Sequence, residues 1–495
     1  MEDSKENSRE PVYLFDVQGY DPDRIRAVVA GAMREMGLKP RGRTLVKPNC
    51  VAAHPVYFAH AYTRPEGLDG VIAAVRDVGG DAIDELVLGE RSGITIPTRM
   101  AFHHAGYPAV ARKHGIPCRY FEDDRSVEVA LKSDGRLRDS IFVPESIADA
   151  DFLVNCPKFK THPWTRVTMA LKNFIGIQDD AHRLIDHDYM LEEKVADLQE
   201  VIRQDLIVID AVVAGMGRML TPSPLPLNLI MVGKNPVATD AAGCMILGID
   251  PSEVRHLRFC AERGIGSLSP EGIEFRGDVS LDEARRRAGD VENAMVRVDK
   301  FFEGSSITAI SGPPPDPSHS DYCWGGCPGA MEEAIDVILQ PDARTRCRRM
   351  RVVYGDVRGM DLGEQPGETV VFLGDCTRYE GKLFGKRVEI GSTYIPRAEK
   401  DPRKAKAKDV FVRMASVYWT MAMTLLRRRR HLVIRGCPVS VAEHVLLLAS
   451  FGGLKNPYFD YRVVFPFVWN WIRTKARRLM GLITGRSRPR LLDGK

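Results

Sequence analysis

Four cysteines in the last third of the chain stand in three short contexts suited to holding a metal or an inorganic cluster. Cys323 and Cys327 lie in Cys-Trp-Gly-Gly-Cys-Pro-Gly, Cys376 in Gly-Asp-Cys-Thr-Arg, and Cys437 in Arg-Gly-Cys-Pro-Val. Glycine beside a cysteine lets the main chain approach a bulky inorganic body and turn N–H groups toward sulfur. Proline after the thiolate fixes the turn and removes a competing donor. One C-x3-C pair and two separate cysteines supply the four thiolates of a 4Fe–4S cubane or of a structural zinc. The cubane leads, because compact zinc sites bring two paired knuckles and this chain has one such pair. Ordinary thiols are the bland alternative.

A second set of chemistry-bearing residues recurs at strand ends earlier in the chain. Lys47 and Asn49 lie in Val-Lys-Pro-Asn-Cys; Lys158, Lys160 and His162 in Asn-Cys-Pro-Lys-Phe-Lys-Thr-His. Lys172 and Asn173 follow in Leu-Lys-Asn-Phe-Ile-Gly, and Lys234 and Asp240 in Gly-Lys-Asn-Pro-Val-Ala-Thr-Asp. If the sheet topology brings these ends together, they form a cationic pocket for a carboxylate or phosphate. Lys158, Lys160, His162 and Lys172 then do the chemistry, with Asp210 as counter-charge or base. Lys47, Asn49, Asn173, Lys234 and Asp240 bind the substrate, and the aspartates also suit a divalent cation. The alternative is that the lysines are surface residues with snorkelling stems and Asp240 is a helix cap. His182, Asp186, His187 and Asp188 read as a polar loop over the pocket, since their spacing matches no compact metal motif.

These residues need elements to position them. Val12–Val17, Thr44–Lys47, Glu85–Leu88, Asp151–Val154, Leu206–Val212 and Leu227–Val232 have strand character. Residues 23–37, 66–78, 191–203 and 236–247 have helical spacing with polar faces. The alternation predicts an α/β fold, a largely parallel sheet flanked by helices, with a second, smaller α/β domain carrying the cysteines. No G-x-G-x-x-G follows the first strand and no Walker A sequence occurs, so neither a dinucleotide fold nor a P-loop is expected. The expected divisions are a disordered terminus over 1–10, an anion-binding domain over 11–305 and a Pro-rich linker over 306–320. The cysteine domain follows over 321–460, with a long helix at 403–430, and a basic aromatic segment closes the chain at 461–495.

The lysine motifs, in this order, resemble the domain-of-unknown-function family numbered 362, over residues of about 11–260. That resemblance implies no single reaction, though members often carry iron–sulfur modules. Cys50 and Cys156 stand where this family commonly has an aliphatic residue, and read as apolar substitutes. Gly374-Asp375-Cys376-Thr377, with Gly436-Cys437-Pro438 opening a helix, resembles the cluster-binding small subunits of respiratory complex I and nickel–iron hydrogenases. The resemblance implies that Cys323, Cys327, Cys376 and Cys437 hold one cubane. The chain departs from that pattern in its C-x3-C pair, its inserted helix and Pro-Val after the last cysteine.

Cys347 stands apart, in Arg-Thr-Arg-Cys-Arg-Arg, where flanking arginines would lower its pKa if it were exposed. Cys118, Cys244 and Cys260 read as core residues.

At 495 residues, 44% hydrophobic and 27% charged, the chain has the composition of an ordinary multidomain globular protein. Its acidic, polar start is neither a secretory signal nor a basic transit peptide. Ten cysteines without regular pairing suit a reducing compartment, and the cytoplasm is expected. The net charge of +4 hides an asymmetry: 400–435 carries +9 and 461–495 carries +8, leaving −13 elsewhere. Val410 to Leu426 is mostly apolar, but its uncharged run from Met414 falls short of the ~20 residues a spanning helix needs. Aromatics beside cations favour an anionic membrane surface as partner, peripheral at its inner face, ahead of protein docking. Nucleic acid is disfavoured for want of a base-reading motif. The leading functional reading is an iron–sulfur oxidoreductase acting on an anionic small molecule and served by a redox partner protein. Its rivals are an electron-transfer or scaffold protein without its own substrate, and a non-redox enzyme with structural zinc.

Overall fold

The structure, a computed structural model, describes residues 9–291, 295–340, 342–405, 409–484 and 490–492. The chain forms two compact units. The first comprises Met1–Asp179, Glu192–Ala294 and Arg462–Lys495, the second Asp180–Leu191 and Met295–Tyr461.

In the first unit the strands are β1 (Glu10–Asp16), β2 (Gly42–Pro48), β3 (Ile83–Glu90), β4 (Cys118–Tyr120), β5 (Ser126–Ala130), β6 (Ser140–Pro144), β7 (Phe152–Cys156), β8 (Lys158–His162), β9 (Arg166–Thr168), β10 (Leu206–Met216), β11 (Ser223–Gly233) and β12 (Ile273–Gly277). The main sheet has the order β12-β1-β11-β10-β7-β2-β3-β4, with β8 beside β10 and β9 beside β8. β11 runs antiparallel to β1 and β10, and β9 to β8; the other pairings of this sheet are parallel. The central strands are buried on both faces, so Leu45-Val46, Leu153-Val154 and Leu206 to Ile209 read as unbroken apolar runs.

Helix α1 (Pro22–Glu35) starts where the Asp21 side chain accepts the N–H groups of Asp23 and Arg24, with proline in the first turn. It buries Ile25, Val28, Val29, Ala32 and Met33 at helical spacing. Helix α2 (Pro65–Gly79) lies close against it. A Cβ at Gly70 would come within 2.6 Å of Pro22 O and 2.7 Å of Ile25 Cβ, so this approach requires glycine.

The second unit is a smaller α/β body. β13 (Ile307–Ser311), β14 (Met350–Tyr354), β15 (Thr369–Leu373) and β18 (His431–Ile434) form a parallel sheet in that order, while β16 (Tyr379–Leu383) and β17 (Lys386–Ile390) form a hairpin. Its labelled helices are α3 (Cys327–Val337), α4 (Val410–Leu426) and α5 (Val441–Ser450). α5 carries a capping box, in which Ser440 and Glu443 satisfy each other's main-chain N–H.

Several expected boundaries move. Glu10 already belongs to β1, while residues 1–8 lie outside those described. Ile307–Ser311 is a strand where a linker over 306–320 was expected, because an edge strand needs only a short apolar run. The helix expected over 403–430 covers Val410–Leu426: Asp409 caps its start, and Arg427 closes its last turn. Residues 406–408 lie outside those described. The segment 461–495 is no appendage: helix α6 (Tyr461–Ile483) and the strand Arg490–Leu492 belong almost entirely to the first unit. The buried Thr474 hydroxyl donates to Glu122 at 3.1 Å, and Arg490–Leu492 pairs parallel with β5. Among the described residues no helix is long and apolar enough to cross a membrane.

Candidate functional site

The four parallel strands of the second unit present their carboxyl ends at one edge, and the four cysteines gather there. α3 begins at Cys327, with Cys323 in the turn before it; Cys376 follows β15, and Cys437 follows β18. Main-chain bonds tie the last two loops together: Gly374 N–H donates to Ile434 O at 2.9 Å, and Asp375 N–H to Gly436 O at 3.1 Å. Gly374, at φ +104°, sits among the sulfurs. A Cβ there would stand 3.3 Å from Cys327 Sγ and 3.7 Å from Cys376 Sγ, and one at Gly326 would strike Cys323 Sγ. Val439 N–H donates to Cys327 Sγ at 3.2 Å.

Burial pushes all four thiols up, Cys376 to about 11, and the neighbouring sulfurs and Asp188 add to the effect on Cys323 and Cys437. Four thiolates crowded here are stable only around a positive body. Their softness, the N–H group turned to sulfur and the glycine cradle fit an iron–sulfur cluster. Among the described residues no three His, Cys, Asp or Glu side chains share the close spacing of a single-ion site.

The stretch holding His182, Asp186, His187 and Asp188 belongs to this unit. His187 Nδ1 lies 3.1 Å from Gly325 O, His182 Nε2 3.1 Å from Pro402 O, and Cys437 donates to Asp188 Oδ2 at 3.7 Å. Asp188 is buried, which raises its pKa. The other cysteines are ordinary by comparison. Cys50, Cys156, Cys244 and Cys260 are buried, and Cys347 is buried too, pushed up to about 12 by desolvation; its flanking arginines do not lower it.

In the first unit β1, β10, β7, β2 and β3 run the same way, so their carboxyl ends share an edge, where ligands of such sheets collect. Lys47, Asn49, Lys158, Lys160, His162, Lys172, Asn173 and Asp210 come together there. They are not a bare cationic pocket. Lys47 is fully buried, 2.7 Å from Glu90, and donates also to Asn173 O at 2.8 Å. Lys158 lies 2.9 Å from Asp210 and donates to Tyr20 Oη at 2.8 Å; Tyr20 in turn donates to Asp210 at 2.9 Å. Burial lowers the Lys158 pKa, and Asp210 opposes that shift. The snorkelling alternative therefore fails for both lysines.

Lys160, also buried, donates to Ala61 O at 2.6 Å. Asn49, Asn173 and Asn155 form a chain: Asn49 Nδ2 donates to Asn173 Oδ1 at 3.0 Å, and Asn173 Nδ2 to Asn155 Oδ1 at 2.7 Å. Asn49 Oδ1 is buried and finds no donor among the described residues. Lys172 Nζ stands 2.6 Å from His162 Nε2, while His162 Nδ1 accepts the Trp164 N–H at 3.1 Å. With Nδ1 accepting, the neutral ring carries its proton on Nε2, facing the Lys172 amine, a contact suited to acid–base work.

Two expected members fall elsewhere. Lys234 is exposed at the end of β11, whose antiparallel course carries it to the opposite edge of the sheet. Asp240 is no helix cap, since Asn235 caps that helix. It is fully buried and accepts the N–H groups of Ala170 and Leu171 at 2.7 and 2.9 Å, holding the turn that presents Lys172. Glu90, Tyr20 and Asn155 were missed. Glu90 had a signal, a lone acid closing the apolar strand Leu86 to Gly89.

Comparison with known proteins adds a family. Residues 44–245 match the model of a family described as a domain of unknown function, DUF362. The match spans the lysine motifs and ends before Cys323. A thylakoid-associated protein of Synechocystis sp. is similar at 23% identity over 278 residues, covering 53% of this chain and 82% of the relative. Among solved structures, the lactate racemase apoprotein of Thermoanaerobacterium thermosaccharolyticum aligns with TM-score 0.33 and 8% identity, over 76% of this chain and 85% of its own. A protein from Thermotoga maritima aligns with TM-score 0.27 and 8% identity, over 68% and 72%.

Proposed function

We propose that this chain is an iron–sulfur redox protein whose second unit holds a 4Fe–4S cluster through Cys323, Cys327, Cys376 and Cys437. One observation carries the reading: thiols scattered over more than a hundred residues converge, buried or half-buried, at one strand edge with a main-chain donor turned to sulfur. Bound there, the cluster would supply one-electron transfer. The residues' own part is to release four protons as thiolates form, keep water out and tune the potential through N–H···S bonds. All ten cysteines are free thiols, consistent with a reducing, cytoplasmic location. A redox partner protein would complete the electron path.

The first unit is proposed to bind an anionic small molecule, a carboxylate or phosphate, at the lysine-bearing edge. Glu90 and Asp210 already neutralise Lys47 and Lys158. The ligand's charge would be met by Lys160 and Lys172, a donor of the ligand would reach Asn49 Oδ1, and the Lys172–His162 pair would move a proton. An oxidoreductase acting on such a substrate joins both halves of the reading.

Anaerobic purification with iron and acid-labile sulfide analysis tests the cluster. Cys323→Ser, Cys327→Ser, Cys376→Ser and Cys437→Ser should each deplete iron, and Cys118→Ser and Cys347→Ser should not. Equal iron in all six variants would refute the assignment. Zinc without sulfide would make the site structural.

A further inference from the structure

Helix α6 is amphipathic in the inverse sense: its outward stripe is apolar. Phe465, Trp469, Ile472, Leu479, Met480 and Ile483 recur at helical spacing and are between 48% and 72% exposed. The opposite face packs within the first unit. There Val463 and Thr474 are buried, Phe467 and Trp471 half-buried, and Arg478 donates to Glu122 O at 3.2 Å. From Tyr461 to Ile483 the helix carries Arg462, Arg473, Lys475, Arg477 and Arg478 and no acidic residue. Arg473 is exposed and has no carboxylate partner among the described residues. Beside the stripe a pocket of about 680 Å³ opens, its lining including Arg99, His103, Trp469, Arg473 and Arg477.

We propose that α6 seats this protein on an anionic phospholipid bilayer, lying in the interface plane. The stripe enters the acyl boundary, Arg473 and Arg477 meet headgroup phosphates, and the basic pocket takes one headgroup. Charge complementarity selects this occupant. An apolar stripe flanked on its own helix by cations alone, of which Arg477 also meets Asp123 at 3.6 Å, suits a negatively charged apolar boundary, whereas two copies of α6 face to face would oppose like charges. The helix is too polar to span, so it lies flat. The second unit repeats the pattern independently: on α4, Trp419, Leu425 and Leu426 are exposed, and Arg427 to Arg430 follow, all exposed.

Sedimentation of the full chain with vesicles tests this, using phosphatidylcholine with about one-third phosphatidylglycerol against phosphatidylcholine alone. At low salt the wild type should sediment with the anionic vesicles and be partly released by high salt. Phe465→Ser/Trp469→Ser/Ile472→Ser should cut binding by about tenfold or more with an unchanged melting curve, since these side chains are exposed. Arg473→Glu/Arg477→Glu should remove the preference for anionic lipid. In wild type, brominated acyl chains should quench tryptophan emission, and Trp469→Phe should lose most of that quenching, a readout that does not depend on the serine variants. Failure to sediment, or full binding by the folded triple variant, would overturn the proposal. So would concentration-dependent self-association without lipid that the triple variant abolishes, which would assign the stripe to a second copy.

Discussion

Replacing Lys158 tests whether the lysine edge is built on buried charge. Its amine lies 2.9 Å from Asp210, with both side chains nearly inaccessible. At an effective dielectric of about 20, that separation corresponds to about 6 kcal/mol of attraction, offset by the desolvation of both ions. Lys158→Met leaves Asp210 charged and buried. Asp210 keeps the Tyr20 hydroxyl and the Arg64 N–H, each at 2.9 Å. The cost should therefore fall near the low end of the range for a broken buried pair, about 3 kcal/mol. Asp210→Asn strands a lysine already biased toward its neutral form by burial, and about 2 kcal/mol is expected. In the double variant the amide oxygen at position 210 can accept the Arg64 N–H while the amide NH2 donates to Tyr20 Oη, and both charges are gone, so it should lie within about 1.5 kcal/mol of wild type. The pair then shows a coupling of at least about 3.5 kcal/mol. Hydrogen exchange of the Leu206–Met216 strand in increasing urea measures it. Additive single variants, or singles each costing under about 1 kcal/mol, would refute the buried-pair reasoning.

The remaining expectations follow from the same edge. Lys172→Met should weaken binding of citrate or inorganic phosphate, measured by titration calorimetry, by about tenfold with little loss of stability, because Lys172 is half-buried; absence of any wild-type binding would remove the anion site. Burial raises the Asp240 pKa to about 7 from 3.8. Below pH 3.8 folded and unfolded chains both hold the proton; between there and about 7 only the folded chain keeps it, so stability falls as pH rises through this window and levels off above it. The fall amounts to roughly 4 kcal/mol at most, and Asp240→Asn should flatten it; parallel pH–stability profiles for the two proteins would contradict the shift.

How much of this was legible beforehand depended on whether the deciding physics is local. The central strands were, since a strand covered on both faces must be apolar throughout, as Leu206 to Val212 is. So was the turn at Cys327 and at Cys437, where a glycine before and a proline after each thiol record the shape of the loop. Strand direction was not. Nothing near Lys234 reveals that β11 runs against its neighbours, and that alone removes it from the edge. The Lys47–Glu90 pair joins residues 43 apart and needs the β2–β3 register. The aromatic and basic residues of α6 were visible in sequence, but which face is packed depends on Glu122, far along the chain. For that reason Phe467 and Trp471 are half-buried, while Phe465 and Trp469 face outward.

The two proposed sites share one architectural cause with opposite electrostatics. In both units parallel strands deliver polar loops to a single carboxyl edge. At the first edge lysines and carboxylates are buried together, Lys47 with Glu90 and Lys158 with Asp210, so these two pairs are charge-balanced before any ligand arrives. At the second, four thiols and Asp188 are buried together, and their negative forms would repel one another. Such a site gains from a cationic body and loses from a bare pair of thiolates. Ionisation there should thus follow metal loading instead of preceding it, and the uptake of iron and sulfide should be accompanied by release of protons to the solvent.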